Sequence, residues 1–216
     1  MVPEPPNRPF PSGEPYWYWL GGRPALDFVN TRRERWRGNV ECLCSPADLA
    51  EWLRRARLLA GPAAASPEQL VAAIELREAI DAGVRAAVSA EQPPGAALAA
   101  IDGWLATAGV RPALRAGPDG LPVLGEREPV DPLAVALGAL ALDAARLLGR
   151  PSERERLRIC GSDTCSARFY DRSPAARRRW CSMALCGNVA KARRHRARAA
   201  RSLPVARPTK GLYVHE

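Results

Sequence analysis

Apolar positions recur at helical spacing through much of the chain. Leu49, Trp52, Leu53 and Ala56 repeat at intervals of three and four. Ser45-Pro46-Ala47-Asp48 opens that segment with a cap, a proline and an acid, and Gly61-Pro62 stops it. Ser66-Pro67-Glu68-Gln69 opens a second helix, with Gln69 where a capping box places it. Leu70, Ile74, Arg77, Ile80, Val84 and Val88 share its broad face. Pro93-Pro94-Gly95 separates it from a helix over roughly 96–108, closed by Gly109. Asp131-Pro132 starts another, apolar over most of its surface (Leu133, Val135, Leu137, Leu140, Leu142, Leu147, Leu148) and ended by Gly149 and Pro151. A helix apolar nearly all round is normally buried, so this one belongs at the centre of the first domain.

Between these helices the pattern changes. Residues 1–15 hold six prolines and read as a flexible arm. Tyr16-Trp17-Tyr18-Trp19-Leu20 reads as extended and ends at Gly21-Gly22. Pro24 suits a first helical position, with Ala25 to Thr31 behind it and Gly38-Asn39 as the next break. Pro112-Ala113-Leu114-Arg115 and Leu121-Pro122-Val123-Leu124 flank a Gly117-Pro118-Asp119-Gly120 turn, which predicts a hairpin with Pro122 on an edge. The expected fold is a mainly α N-terminal domain with a small β-hairpin, over 16–150. A small C-terminal zinc-binding β-hairpin/helix module over 151–203 and a tail over 204–216 follow.

The second module rests on four cysteines. Cys160, Cys165, Cys181 and Cys186 fall in two pairs of identical spacing, C-x4-C-x15-C-x4-C. A structural zinc takes four thiolate or imidazole ligands tetrahedrally, and two short turns brought together by a hairpin supply them. Residues 167–170 and 178–180 are the candidate strands, joined at Asp171-Arg172-Ser173-Pro174. About 45 residues cannot bury enough apolar surface to fold alone, so the metal is a condition of folding. An iron–sulfur cluster is the alternative, without a redox-partner motif beside it. A catalytic zinc would keep an open position, which four thiolates close. Cys42 and Cys44 lie far from this set and read as packing residues.

Charge sharpens the division. The chain carries a net +9. Residues 151–216 hold 16 Lys/Arg and 5 Asp/Glu, a net of +11, which leaves −2 for residues 1–150. The C-terminal third is therefore the candidate polyanion-binding part. After Gly187, expected to relieve a tight turn, Asn188 suits an N-cap. In helical projection Val189, Ala190, Ala192, Ala197, Ala199 and Ala200 fall on one side, expected to face the zinc core. Lys191, Arg194, His195, Arg198 and Arg201 fall on the other. Arg193 and Arg196 flank the apolar side, placed to snorkel or pair with acids. Arg177, Arg178 and Arg179 add a second basic cluster. A basic helix of this kind can grip phosphates or enter a major groove.

At these residues the chain resembles the CGNR zinc-finger family, through L-R-I-C-G-S-D-T-C, F-Y-D-R-S and R-R-W-C-S-M-A-L-C-G-N-V-A-K-A-R-R-H-R-A-R. Val189 stands where the namesake tetrad has arginine. The N-terminal L-G-G-R-P-A-L-D-F-V-N-T resembles the opening of the ABATE domain, which usually precedes this finger and is associated with stress-induced transcriptional regulation. The resemblance covers nearly the whole chain. It implies that the same four cysteines are the metal ligands.

In the first domain, Asp27, Asn30 and Thr31 interrupt an apolar segment, and Arg77 sits among apolar positions of the long helix. They outline either a small-molecule pocket, with Trp19 or Trp52 as a stacking surface, or a structural network in which Arg77 pairs with Asp27. Two histidines and the lack of a nucleophile elbow, phosphate loop or paired acidic motif argue against an enzyme. The N-terminus lacks a secretory pattern, and no apolar run approaches the roughly 18 residues of a membrane span. The expectation is a cytoplasmic, zinc-dependent DNA-binding transcriptional regulator, with room for a small-molecule effector and a homodimer. The alternative is a protein-interaction or small-molecule-sensing protein whose zinc module is structural.

Overall fold

A computed structural model describes residues 17–59, 61–109, 111–127 and 131–201. The predicted arm and tail lie outside these. The elements run α1 (Pro24–Val29), β1 (Arg32–Arg33), β2 (Val40–Glu41), α2 (Pro46–Arg55), α3 (Pro67–Ser89) and α4 (Gly95–Leu105). Then come β3 (Arg111–Ala116), β4 (Pro122–Arg127), α5 (Pro132–Gly149), α6 (Pro151–Arg154), β5 (Leu157–Ile159) and β6 (Arg168–Tyr170). A π-helical turn (Met183–Gly187) leads directly into α7 (Asn188–Arg201).

The helix starts follow their capping chemistry. Ser45 Oγ accepts from the Asp48 amide at 3.2 Å, and Asp48 accepts from the Ser45 amide at 2.8 Å. Ser66 and Gln69 repeat the box on α3. Asp131 caps α5 and also accepts from Gln69 Nε2 at 2.9 Å, which ties the starts of α3 and α5 together. Helix α5 packs against α1, α3 and α4, and Leu133, Leu137, Leu140, Ala144 and Leu147 are buried there. It is long and apolar enough, by length and composition, to cross a membrane. The expectation that no apolar run approaches that length is thus corrected, and here three helices cover it. A Cβ on Gly138 would sit 2.5 Å from Thr107 Oγ1 and 2.6 Å from the Ala108 amide, so glycine lets α5 pass the end of α4.

Residues 17–20 form no strand: Trp17 is buried and donates to the Cys42 carbonyl at 3.1 Å. The strands there are β1 and β2, antiparallel across the Gly38-Asn39 break. The β3–β4 hairpin forms in the expected place, from Arg111↔Arg127 to Ala116↔Pro122, with partners Leu114 and Leu124 left 72% and 74% exposed.

Candidate metal centre and basic helix

The zinc module is built differently from the expected hairpin. Strand β6 pairs with β5, Leu157↔Tyr170 to Ile159↔Arg168, and residues 178–180 form no strand. The first cysteine pair therefore sits in the loop of the β5–β6 hairpin. The second pair brackets Ser182, which caps the π turn by accepting from the Leu185 amide at 3.3 Å. Gly161 N–H donates to the Arg179 carbonyl at 2.9 Å and joins the two knuckles. Asp171, fully buried, accepts from the Ser173 amide and hydroxyl and, at 2.7 Å, from the Arg178 amide. Burial pushes its carboxyl up, and these donors hold it below the usual carboxylate range.

The four Sγ atoms lie within 4.8 Å of one another. Cys165 and Cys181 are 3.8 Å apart, and Cys181 and Cys186 3.7 Å. Thiolates at about 2.3 Å from a tetrahedral zinc stand about 3.8 Å apart, so the donor set and its size fit that ion. Hydrogen bonds among the thiols, Cys165 first, hold Cys160 far below its ordinary range; the same network, Cys160 first, pushes Cys181 and Cys186 up. Four thiols this close cannot all ionise against one another, and a bound cation removes the conflict. The Ala167 amide also donates to Cys165 Sγ at 3.5 Å.

Cys42 and Cys44 stay apart from this set. Cys42 is buried, which pushes its thiol up to about 12, whereas Cys44 is exposed rather than packed.

Helix α7 departs from its forecast at its start. The π turn runs into it without a break, and Asn188 has helical φ −67 and ψ −38, so Asn188 does not cap it. Gly187 is buried without a left-handed backbone; a Cβ there would meet Met183 Sδ at 2.6 Å, so its smallness makes room for that side chain. Among the described side chains of the apolar side, Val189 is 40% exposed and Ala192 is exposed, whereas Ala190 is half-buried. Arg193, flanking it, pairs with Asp163 beside the first cysteine pair. Lys191, His195 and Arg196 are exposed; the side chains of Arg194, Arg198 and Arg201, and of Ala197, Ala199 and Ala200, lie outside the described ones. In the other basic cluster Arg177 is exposed, but Arg178 donates to the Cys181 carbonyl at 2.7 Å and lies over the Phe169 ring. Arg179 lies over the Trp180 ring.

The four candidate pocket residues are dispersed into structural bonds. Asp27 accepts from the Gly21 amide at 2.7 Å, and burial raises its pKa to about 6. Arg77, expected to pair with Asp27, instead grips Glu41 with two bonds of 2.6 Å and Glu78 with one of 2.9 Å. It also donates to Thr31 Oγ1 at 3.1 Å, and that hydroxyl donates to the Phe28 carbonyl. Glu78 is pushed up by burial but brought down to about 2 by Arg35 and Arg77. Trp19 and Trp52 stack on each other, 5.4 Å between centroids. A cavity of about 820 Å³ lies elsewhere, lined by Gly83, Ala87, Leu98, Ile101, Leu105 and Leu148 among others.

Asn30 holds the two halves together. Its amide donates to the Arg168 carbonyl at 2.9 Å and accepts from the Arg168 N–H at 2.8 Å, as a neighbouring strand would. The Arg168 side chain is 2% exposed and reaches Asp81 of α3 at 2.6 Å. Tyr170 N–H donates to Gly21, and Arg35 N–H to Ser166 Oγ. Sequence reasoning missed this clasp. Its one signal was Asp81, an acid four residues after Arg77 on the inner face of α3.

Comparison with known families agrees with this architecture. Residues 22–151 match ABATE, described as "Putative stress-induced transcription regulator", and residues 156–199 match the CGNR zinc finger. No curated protein matches the chain.

Proposed function

Since the chain belongs to the ABATE family and carries a CGNR zinc finger behind that domain, we propose that it is a zinc-dependent DNA-binding transcriptional regulator. Cys160, Cys165, Cys181 and Cys186 hold a structural zinc that closes the finger and aims α7. Once bound, the zinc supplies only charge neutralisation and cross-linking of the two knuckles. The observation that carries the reading is α7: six Lys/Arg and no acid between Asn188 and Arg201, with Lys191, His195 and Arg196 exposed. Arg177 and Arg179 extend the basic surface. Arg178, tied to Cys181, steadies the finger and contributes charge. Arg194, Arg198 and Arg201 continue the phosphate-binding run, and the protein works in the cytoplasm with reduced thiols.

The test is fluorescence anisotropy of zinc-loaded protein with a duplex at rising salt. Log affinity falls linearly with log salt, with a slope of about −0.9 per phosphate neutralised. No binding at low salt, or unchanged affinity in Lys191→Ala with Arg196→Ala, sinks the reading. The Asn30–Arg168–Asp81 clasp favours a second reading, in which the zinc half is a structural extension of the first domain and docks an acidic protein. In that case the same titration finds no duplex binding.

A further inference from the structure

The outward face of α7 carries an amide and a small apolar side chain beside its cations. Arg193 turns to Asp163 and marks the side that faces the finger. Opposite it, at 100° per residue, stand Lys191 and His195, with Asn188 next to His195 and Ala192 on the flank beyond, all exposed. Arg196, also exposed, borders Ala192, and Val189, 40% exposed, lies beyond it toward the Arg193 side. Because the π turn takes over the capping, with Ser182 at its start, the Asn188 side chain is not spent on the helix end. Nor does any described residue hydrogen-bond to it.

From this face we infer that α7 reads an A·T pair in the major groove, with Asn188 as the base-specific contact and Ala192 against the thymine methyl group. This rests on the DNA-binding reading above. The chemistry matches the groove: a carboxamide pairs bidentately with adenine N6 and N7, and small apolar side chains accept the thymine methyl. The flanking cations reach phosphates on either strand and set the helix in place. Fourteen residues make a helix of about 21 Å, long enough to lie along a groove about 12 Å wide. Charge excludes a second copy as the occupant, since two α7 helices face to face would bring like charges together.

The experiment is selection from a randomised duplex pool with full-length zinc-loaded protein, followed by titration of the selected site. Wild type enriches a site with an A·T pair whose replacement by G·C weakens binding roughly ten- to hundred-fold. Asn188→Ala, helix-favouring and exposed, keeps the salt slope and the affinity for random duplex but loses that discrimination. Lys191→Ala lowers affinity on every sequence alike and reduces the slope by about 0.9. If Asn188→Ala keeps the preference, or wild type binds duplexes without any, this inference falls and the DNA-binding reading stands. If wild type binds no duplex, both fall.

Discussion

The two halves of the molecule hold themselves together by different physics. The helical half buries a continuous apolar core from Trp17 to Leu157, with α5 at its centre. Among the described residues, the zinc half's own apolar cluster is Cys160, Ala167, Phe169, Cys181 and Cys186, with Leu20, Cys165 and Trp180 beside them. Three of those five buried residues are metal-ligand candidates. One half is stabilised by area removed from water, and the other by polar contacts around four clustered thiols fit for a metal: a buried aspartate and a clasp to its neighbour. The comparison teaches that a small module need not be independent, since β6 is held from α1 by Asn30 and from α3 by Asp81.

The largest effect that separates the halves comes from the metal. Stripping it with a chelator, or Cys165→Ser, removes a contribution on the order of 10 kcal/mol or more in small zinc modules. Amide exchange then shows residues 157–187 losing protection while α3 and α5 keep theirs. Loss of protection in both halves together would show that the clasp makes them one cooperative unit. Next comes the clasp. Asp81→Asn leaves the Arg168 guanidinium buried beside a neutral partner, at a cost of about 3–5 kcal/mol in urea unfolding. A cost under 1 kcal/mol would mean that the halves merely touch.

A smaller effect belongs to the helical half. The Asp27 carboxyl is raised to about 6 by burial, against about 3.9 in an unfolded chain. A raised folded pKa means that the stabilising difference is complete below pH 4 and lost as pH rises through 6. The loss is about 3 kcal/mol at 1.36 kcal/mol per unit. Asp27→Asn flattens that part of the stability–pH curve, whereas an unchanged slope would place the titration elsewhere. The smallest effect is local. Ser66→Ala removes the cap of α3 and costs about 1 kcal/mol by thermal unfolding, without changing metal affinity.

Much of this was legible along the chain, because it depends on neighbours in sequence. The caps at Ser45 and Ser66 act over three residues, and the cysteine spacing announces a tetrahedral ligand set. The failures share a cause. Arg77 was assigned to Asp27, but its partners are Glu41, on a short strand that no periodicity reveals, and the adjacent Glu78. Asn30, Thr31 and Arg77 read as pocket or network, with too few polar groups to define a ligand. Only their partners, Arg168, Phe28 and Glu41, decide for the network. Strand β6 was given to residues 178–180 because they lie close after the turn, yet its partner β5 comes earlier in the chain.

What the sequence determined by itself was the set of helices, the four thiols and the concentration of positive charge in the last third. Each follows from short-range chemistry: capping, periodicity, ligand type and residue count. Tertiary structure alone decided which strand meets β6, that Asn30 and Asp81 reach across to it, and which face of α7 looks outward. Ser182, not Asn188, caps the run into α7, so its first turn meets solvent with an asparagine and small apolar side chains. Those outcomes depend on where distant segments come to rest, and no local pattern of residues carries that information.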